Sequence, residues 1–291
     1  MHSIEIALQK AKRHLHMPGL AGGKADLGAA GNSEGRHPRS SVAGSFGASH
    51  PVNPLRSVDE TWSSLSIFSP SQSFLRSMRI VTTDSEVMER IAFDMLRTKL
   101  IQKMKQNGWT SLAITSPRPA CGKTLVASNL ALSLSNQSSC RTVVVDLDLR
   151  HPEIARTLGI HHPQSMEEYL TGRIPLESIF LRYRENVAVA ANGRHVQLAA
   201  ELLQDPRAAS TLRRMKESLA PDIVIYDMPP MMAFDDVLAF LPNVDCALLV
   251  LAAEESTVAE ADICEYELAQ RTNVLGTVLN KCRYAQEKYG Y

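Results

Sequence analysis

Gly122-Lys123-Thr124 follows a short apolar run, Leu112-Ala113-Ile114, and a turn punctuated by Pro117 and Pro119. A strand, a loop and a helix opening on Gly-Lys-Thr make the setting of a phosphate-binding loop. In such a loop, backbone N–H groups and the new helix's N-terminus surround phosphate oxygens, the lysine adds a point charge, and the threonine hydroxyl faces Mg²⁺. The candidate phosphate contacts are Ser116, Pro119, Ala120, Cys121, Gly122, Lys123, Thr124 and Leu125. The match is imperfect. Pro117 stands where GxxxxGK[ST] has its first glycine, and Ala120-Cys121 replaces residues that are usually glycine or acidic. A Gly-Lys-Thr with one glycine also arises in ordinary strand–helix turns.

Two further stretches place carboxylates at strand ends. Val143-Val144-Val145-Asp146-Leu147-Asp148 runs on into Leu149-Arg150-His151-Pro152. Carboxylates two residues apart at the end of a buried strand are costly unless they meet a metal or a cation. The plain alternative is a solvated turn with an N-cap. Ile223-Val224-Ile225-Tyr226-Asp227 is an apolar strand ending in an aspartate that can reach Mg²⁺ through water.

The elements that must hold these residues read as α/β. Apolar runs at 110–115, 142–147, 187–191, 222–227, 245–251 and 274–279 lack clean alternation, as expected for parallel strands covered on both faces. Helical stretches at 123–135, 207–218 and 257–270 lie between them, and 84–107 predicts a helix capped by Asp84 or Ser85 that buries Met88, Ile91, Met95 and Ile101. The expected architecture is a three-layer α/β/α fold around a mostly parallel sheet, with the folded part at 79–281. Residues 1–16 space Ile4, Leu8, Ala11 and Leu15 as a short amphipathic helix, docking or simply frayed. Residues 17–63 hold eight of the fifteen glycines and little apolar periodicity, so 17–78 is expected to be a disordered linker.

Composition narrows the function. Net charge is zero and basic runs are absent, which argues against nucleic acid. The five cysteines have no CxxC spacing and suit the reduced thiols of a cytoplasmic protein. Neither a membrane span nor a signal peptide is expected.

Taken together and in this order, TSPRPACGKT, VVVDLDLRHP and VIYDMPP resemble the Walker A, A′ (DxDxRxP) and B motifs of the bacterial tyrosine kinases (BY-kinases) of exopolysaccharide and capsule systems. These share a P-loop branch with the Min/Par-type ATPases. Ala191-Asn192-Gly193 with Ala199-Ala200-Glu201-Leu202-Leu203, and Val274–Lys281, are similar to further stretches of that family, so the resemblance covers residues 79–291. The opening SIEIALQKA is also similar to members found with exosortase loci. The resemblance implies a P-loop NTPase fold with ATP and Mg²⁺ as cofactors. It implies Lys123 on phosphate, Thr124, Asp146, Asp148 and Asp227 around the metal, and Asp146 as the group that receives or orients the acceptor's proton. The tail at 282–291 carries Tyr284, Tyr289 and Tyr291, three of the seven tyrosines, as phosphoacceptors of a neighbouring subunit.

It further implies a homo-oligomer, cytoplasmic and peripheral to the inner membrane. Membrane contact would be indirect, through a membrane-embedded chain-length-determinant (Wzz-like) activator. Departures are specific. Ala120 replaces a glycine, Asp94 and Ile91 replace the arginine and glutamate of the first-helix oligomerisation pattern, and Arg118 falls near the second lysine of Min/Par enzymes. A Min/Par-like ATPase switch, with water as acceptor, and a degenerate nucleotide-binding adaptor are the competing readings. A metal site on His151, His161 and His162 is more distant, since adjacent histidines point apart.

Overall fold

The computed structural model describes residues 3–7, 57–82, 85 and 87–282. Within them the strands are β1 (Ser3–Ala7), β2 (Ser66–Ile67), β3 (Ser111–Thr115), β4 (Thr142–Asp146) and β5 (Phe180–Tyr183). They continue with β6 (Val187–Ala190), β7 (Ile223–Asp227), β8 (Cys246–Ala252) and β9 (Asn273–Cys282). The helices before β4 are α1 (Val58–Ser64), α2 (Gln72–Ser77), α3 (Val87–Asn107) and α4 (Lys123–Leu134). After β4 come α5 (Ile154–Leu158), α6 (Met166–Leu170), α7 (Leu176–Ile179) and α8 (Ala199–Gln204). The last are α9 (Pro206–Leu219), α10 (Asp236–Phe240) and α11 (Val258–Ala269).

The strands form one sheet in the order β1-β9-β8-β3-β7-β4-β6-β5-β2. Pairing is parallel except at β1–β9 and β5–β6. Successive strand residues serve opposite faces: Val143 and Val145 join one buried cluster with Ala113, Val224 and Tyr226, while Val144 joins another with Leu112, Ile114 and Ile225. A core on both faces is what the unbroken apolar runs require. This is the three-layer, mostly parallel architecture expected from the sequence.

Three expectations are corrected. Residues Ser3–Ala7 run as a strand, not a helix, paired to β9 with Ser3 opposite Cys282 and Ala7 opposite Thr277. Ser-Ile-Glu-Ile-Ala alternates with period two, and that local pattern outweighs the longer helical spacing. The ordered fold also begins well before residue 79. Ser57 and Glu60 close a reciprocal capping box on α1, the Trp62 Nε1 donates to the Leu219 carbonyl at 2.8 Å, and Trp62, Leu65 and Leu75 are buried. Finally, α3 buries Phe93, Leu96, Leu100 and Met104, while Met88 and Ile91 are exposed. Two apolar stripes with helical spacing share that helix, and packing on α4, in one cluster with Leu112 and Ile114 of β3, selects the second. Residues 8–16 of the expected helix, Asp84 as a cap, the stretch 17–56 and the tail lie outside the described residues.

Candidate functional site

The strand order sets the site. Strand β7 lies between β3 and β4, so the loop leaving β3 and the carboxylates ending β4 flank Asp227 at the sheet's C-terminal edge. Asp146 and Asp227 are register partners across β4 and β7. Ligands of open α/β sheets bind at this edge.

The loop is shaped by two residues with positive φ. Gly122 has φ 91° and caps α4, and a Cβ there would fall 2.1 Å from Asn280 Nδ2. Only glycine fits both demands. Ala120, with φ 63°, adopts the left-handed conformation where a glycine would be unstrained. Asn280, on β9, donates from Nδ2 to the Cys121 carbonyl at 2.9 Å and braces the loop from the far side. The Ser116 hydroxyl closes the loop on itself by donating to the Arg118 carbonyl at 2.8 Å.

The Lys123 ammonium sits 2.6 Å from Asp148 Oδ2 and 3.3 Å from the Thr124 hydroxyl. Burial pulls its pKa down, but Asp227, Asp148 and Asp146 outweigh that and raise it. Asp148 also accepts from the His151 N–H at 3.0 Å. Asp146 is fully buried; its Oδ2 accepts from the Ile154 N–H at 3.2 Å and its Oδ1 has no partner. Burial, reinforced by Asp227, pushes Asp146 well above the usual carboxylate range against the pull of Lys123. Asp227 is fully buried with no hydrogen-bond partner at normal distance, and burial pushes it up to about 6 against the pull of Lys123 and the nearby Thr124 hydroxyl.

A cavity of about 740 Å³ opens beside the loop, walled by Ala120, Gly122, Lys123, Thr124 and Leu125 with residues of the 76–81 segment and α3. The aspartates are not in its wall. Pro119 is exposed, and the Cys121 side chain turns inward, its Sγ 3.7 Å from the Ser256 hydroxyl. The Arg118 side chain pairs with Glu260, which closes the α11 capping box with the N-cap Thr257. Arg150 forks onto Asp236, at 2.8 and 3.0 Å, rather than onto the carboxylate trio. Tyr284, Tyr289 and Tyr291 lie outside the described residues. Among those described, no group of three or more His, Cys, Asp or Glu is arranged as a metal centre.

Two asparagines escaped the reading of the sequence. Besides Asn280, the Asn129 carboxamide accepts from the Val81 N–H at 2.6 Å and donates to the Leu125 and Arg79 carbonyls, pinning a cavity wall to α4. Its signal was available: a lone amide inside the apolar helix KTLVASNLALSL.

These donors suit a magnesium nucleotide. A helix start whose backbone approach only glycine permits, a buried lysine and two buried carboxylates with oxygens left free, one on Asp146 and both on Asp227, make a site with charge still to be matched.

Comparison with known proteins points the same way. The chain is 33% identical over 198 residues to a protein named as a tyrosine-protein kinase of the Klebsiella pneumoniae cps region, covering 67% of this chain and 27% of that one. It is 29% identical over 199 residues to the tyrosine-protein kinase etk of Escherichia coli K12, with the same coverage. The chain thus spans about a quarter of these relatives' length. The kinase domain of Escherichia coli tyrosine kinase ETK superposes with a TM-score of 0.63 at 25% identity, covering 78% of this chain and 93% of that domain. The chimerical protein CapA2B2 shares the fold, with TM-score 0.63, 21% identity and coverage of 74% and 91%. No helix of the described residues is long and apolar enough to cross a membrane. The family model described as the NUBPL iron-transfer P-loop NTPase (ParA) matches residues 109–290, more than half of the sequence and all of the strand-end chemistry, and the chain belongs to that ParA family of P-loop NTPases.

Proposed function

We propose that this chain is an ATP-dependent protein-tyrosine kinase that phosphorylates tyrosines of its own tail between copies, within an exopolysaccharide or capsule system. The observation that carries the reading is the buried constellation of Lys123, Asp146, Asp148 and Asp227 on a chain that covers nearly all of a tyrosine-kinase domain. The names of the relatives support the acceptor and the setting.

Bound Mg-ATP supplies the phosphoryl group and the charge that organises it. With a nucleotide bound, Lys123 would exchange Asp148 for phosphate. Thr124, Asp148 and Asp227 would hold the metal ion, which would add counter-charge to the buried Asp227 carboxylate beyond that of Lys123. A tyrosine hydroxyl is ionised only about once in a thousand at neutral pH. Asp146 has a free Oδ1 and a raised pKa, and takes or orients that proton. Tyr284, Tyr289 and Tyr291 are the acceptors, a second copy presents them, and a membrane-embedded chain-length-determinant-type partner activates the assembly at the inner membrane.

The test is anti-phosphotyrosine detection on the full chain with Mg-ATP, beside Lys123→Met and a variant carrying Tyr284→Phe, Tyr289→Phe and Tyr291→Phe. Signal in the parent that vanishes in both supports the reading. Silence, even with the cytoplasmic piece of the membrane partner added, sinks it, and phosphate release without phosphotyrosine would make the chain an ATPase switch.

A further inference from the structure

Three loops at the C-terminal ends of β4, β6 and β7 carry ring side chains that meet. The His151 ring lies 6.3 Å from that of His195, edge-on at 73°, and 6.3 Å from Phe234 at 41°. The row is held from below. Arg150 places its guanidinium carbon 4.6 Å over the Phe234 ring, bonds both oxygens of the buried Asp236, and donates to the Gln197 carbonyl at 3.1 Å. One arginine therefore ties all three loops together, which fixes the rings before anything binds. The row begins beside the proposed chemistry, because the His151 N–H donates to Asp148. Both histidines are exposed and Phe234 is half-buried, and their neighbours in sequence Leu198 and Met232 are exposed too, at 65% and 48%. This arrangement takes no part in packing the core or in the phosphate loop.

We propose that His151, His195 and Phe234 are the seat for the acceptor's phenol ring, presented by residues 283–291 of a second copy of this chain. The proposal rests on the kinase reading and names the residues that choose its acceptor. The segment RYAQEKYGY is aromatic, with cations at Arg283 and Lys288 against one carboxylate at Glu287, and the exposed carboxylates of Asp235 and Glu201 lie close enough to act on Arg150 beneath the seat. Tyrosine rings favour tilted and edge-on partners of this kind. Sheet order argues for a second copy. Strand β9 lies four strands from β4, about 19 Å at the usual spacing. Tyr284 follows Cys282 by two residues and reaches at most about 7 Å, so it cannot occupy its own seat, whereas Tyr289 and Tyr291, seven and nine residues on, span about 25 and 31 Å and can compete for it from the same chain.

The experiment uses the full chain carrying Tyr284→Ala, Tyr289→Ala and Tyr291→Ala, which removes competition from its own tail. A fluorophore-labelled peptide, RYAQEKYGY, is titrated in by anisotropy, beside a peptide with alanine at each tyrosine. Phe234→Ala and His195→Ala are each expected to weaken binding about fivefold, Phe234→Trp to restore it, and the alanine peptide not to bind. Because His195 is exposed and its described contact is the ring of His151, its variant tests the seat even if Phe234→Ala disturbs the fold. Equal affinity in all variants, or no binding to the parent at millimolar peptide, overturns the proposal. Phosphotyrosine on the same peptide separates the two readings. Binding that depends on the seat without phosphorylation supports the seat and removes the kinase; phosphorylation indifferent to both variants removes the seat alone.

Discussion

Asp227 shows at a single residue how the site is tuned. Its carboxylate is raised from an ordinary 3.8 to about 6 by burial. Between those values the folded chain keeps a proton that the unfolded chain releases. The stabilisation this group gives is therefore complete below pH 3.8 and is lost as pH rises through about 6. Asp227→Asn carries no charge to bury, so its melting temperature is expected to exceed the parent's by more at pH 7.5 than at pH 5, read by thermal denaturation without ligand. An equal gap at both values would contradict the burial argument. Ala120 is the second case. Its left-handed backbone is disfavoured for any residue with a Cβ, so Ala120→Gly is expected to stabilise the chain by up to about 1 kcal/mol in a urea titration. Both residues were legible in the sequence because motif spacing names them. What spacing could not convey is that Lys123 rests on Asp148, a contact between residues 25 apart that depends on how the loop folds back over the sheet.

At the scale of elements, the strands were legible and the entry to the domain was not. Unbroken valine and isoleucine runs fix β4 and β7 whatever surrounds them. The segment 57–77 reads as polar, and only Ser57-x-x-Glu60 with Trp62 and Phe74 marks it as structure, because its apolar residues are few and serve distant partners. Trp62 joins one face's core and Leu75 the other's, so α1 and α2 lock both layers. Trp62→Ala is expected to cost about 3–5 kcal/mol and to lower the melting temperature by roughly 10 °C, while Trp62→Phe, which keeps an aromatic ring but loses the bond to Leu219 and part of the buried indole, costs about 1–2 kcal/mol. A Trp62→Ala chain as stable as its parent would return this segment to the linker. For α3 the sequence offered two stripes, and nothing local distinguishes the buried one from the one left on the surface.

At the scale of the whole molecule, three motifs separated by up to a hundred residues act together because β7 inserts between β3 and β4. No local pattern encodes that insertion; it follows from how the crossover helices pack on the two faces. The unpartnered oxygens of Asp227 and Asp146 then have a consequence for the chain's lifetime. A fold that encloses unmatched negative charge is less stable empty than filled, so on the nucleotide reading Mg-ATP is a folding ligand as well as a substrate. By mass action, a hundredfold excess over the dissociation constant adds about 2.7 kcal/mol. The thermal shift produced by Mg-ATP is expected to be larger at pH 8 than at pH 5.5, where protons occupy Asp227 instead. In a cell, turnover of this protein would then follow the energy charge: copies that empty when ATP falls are the ones that open, and the ones proteases remove first.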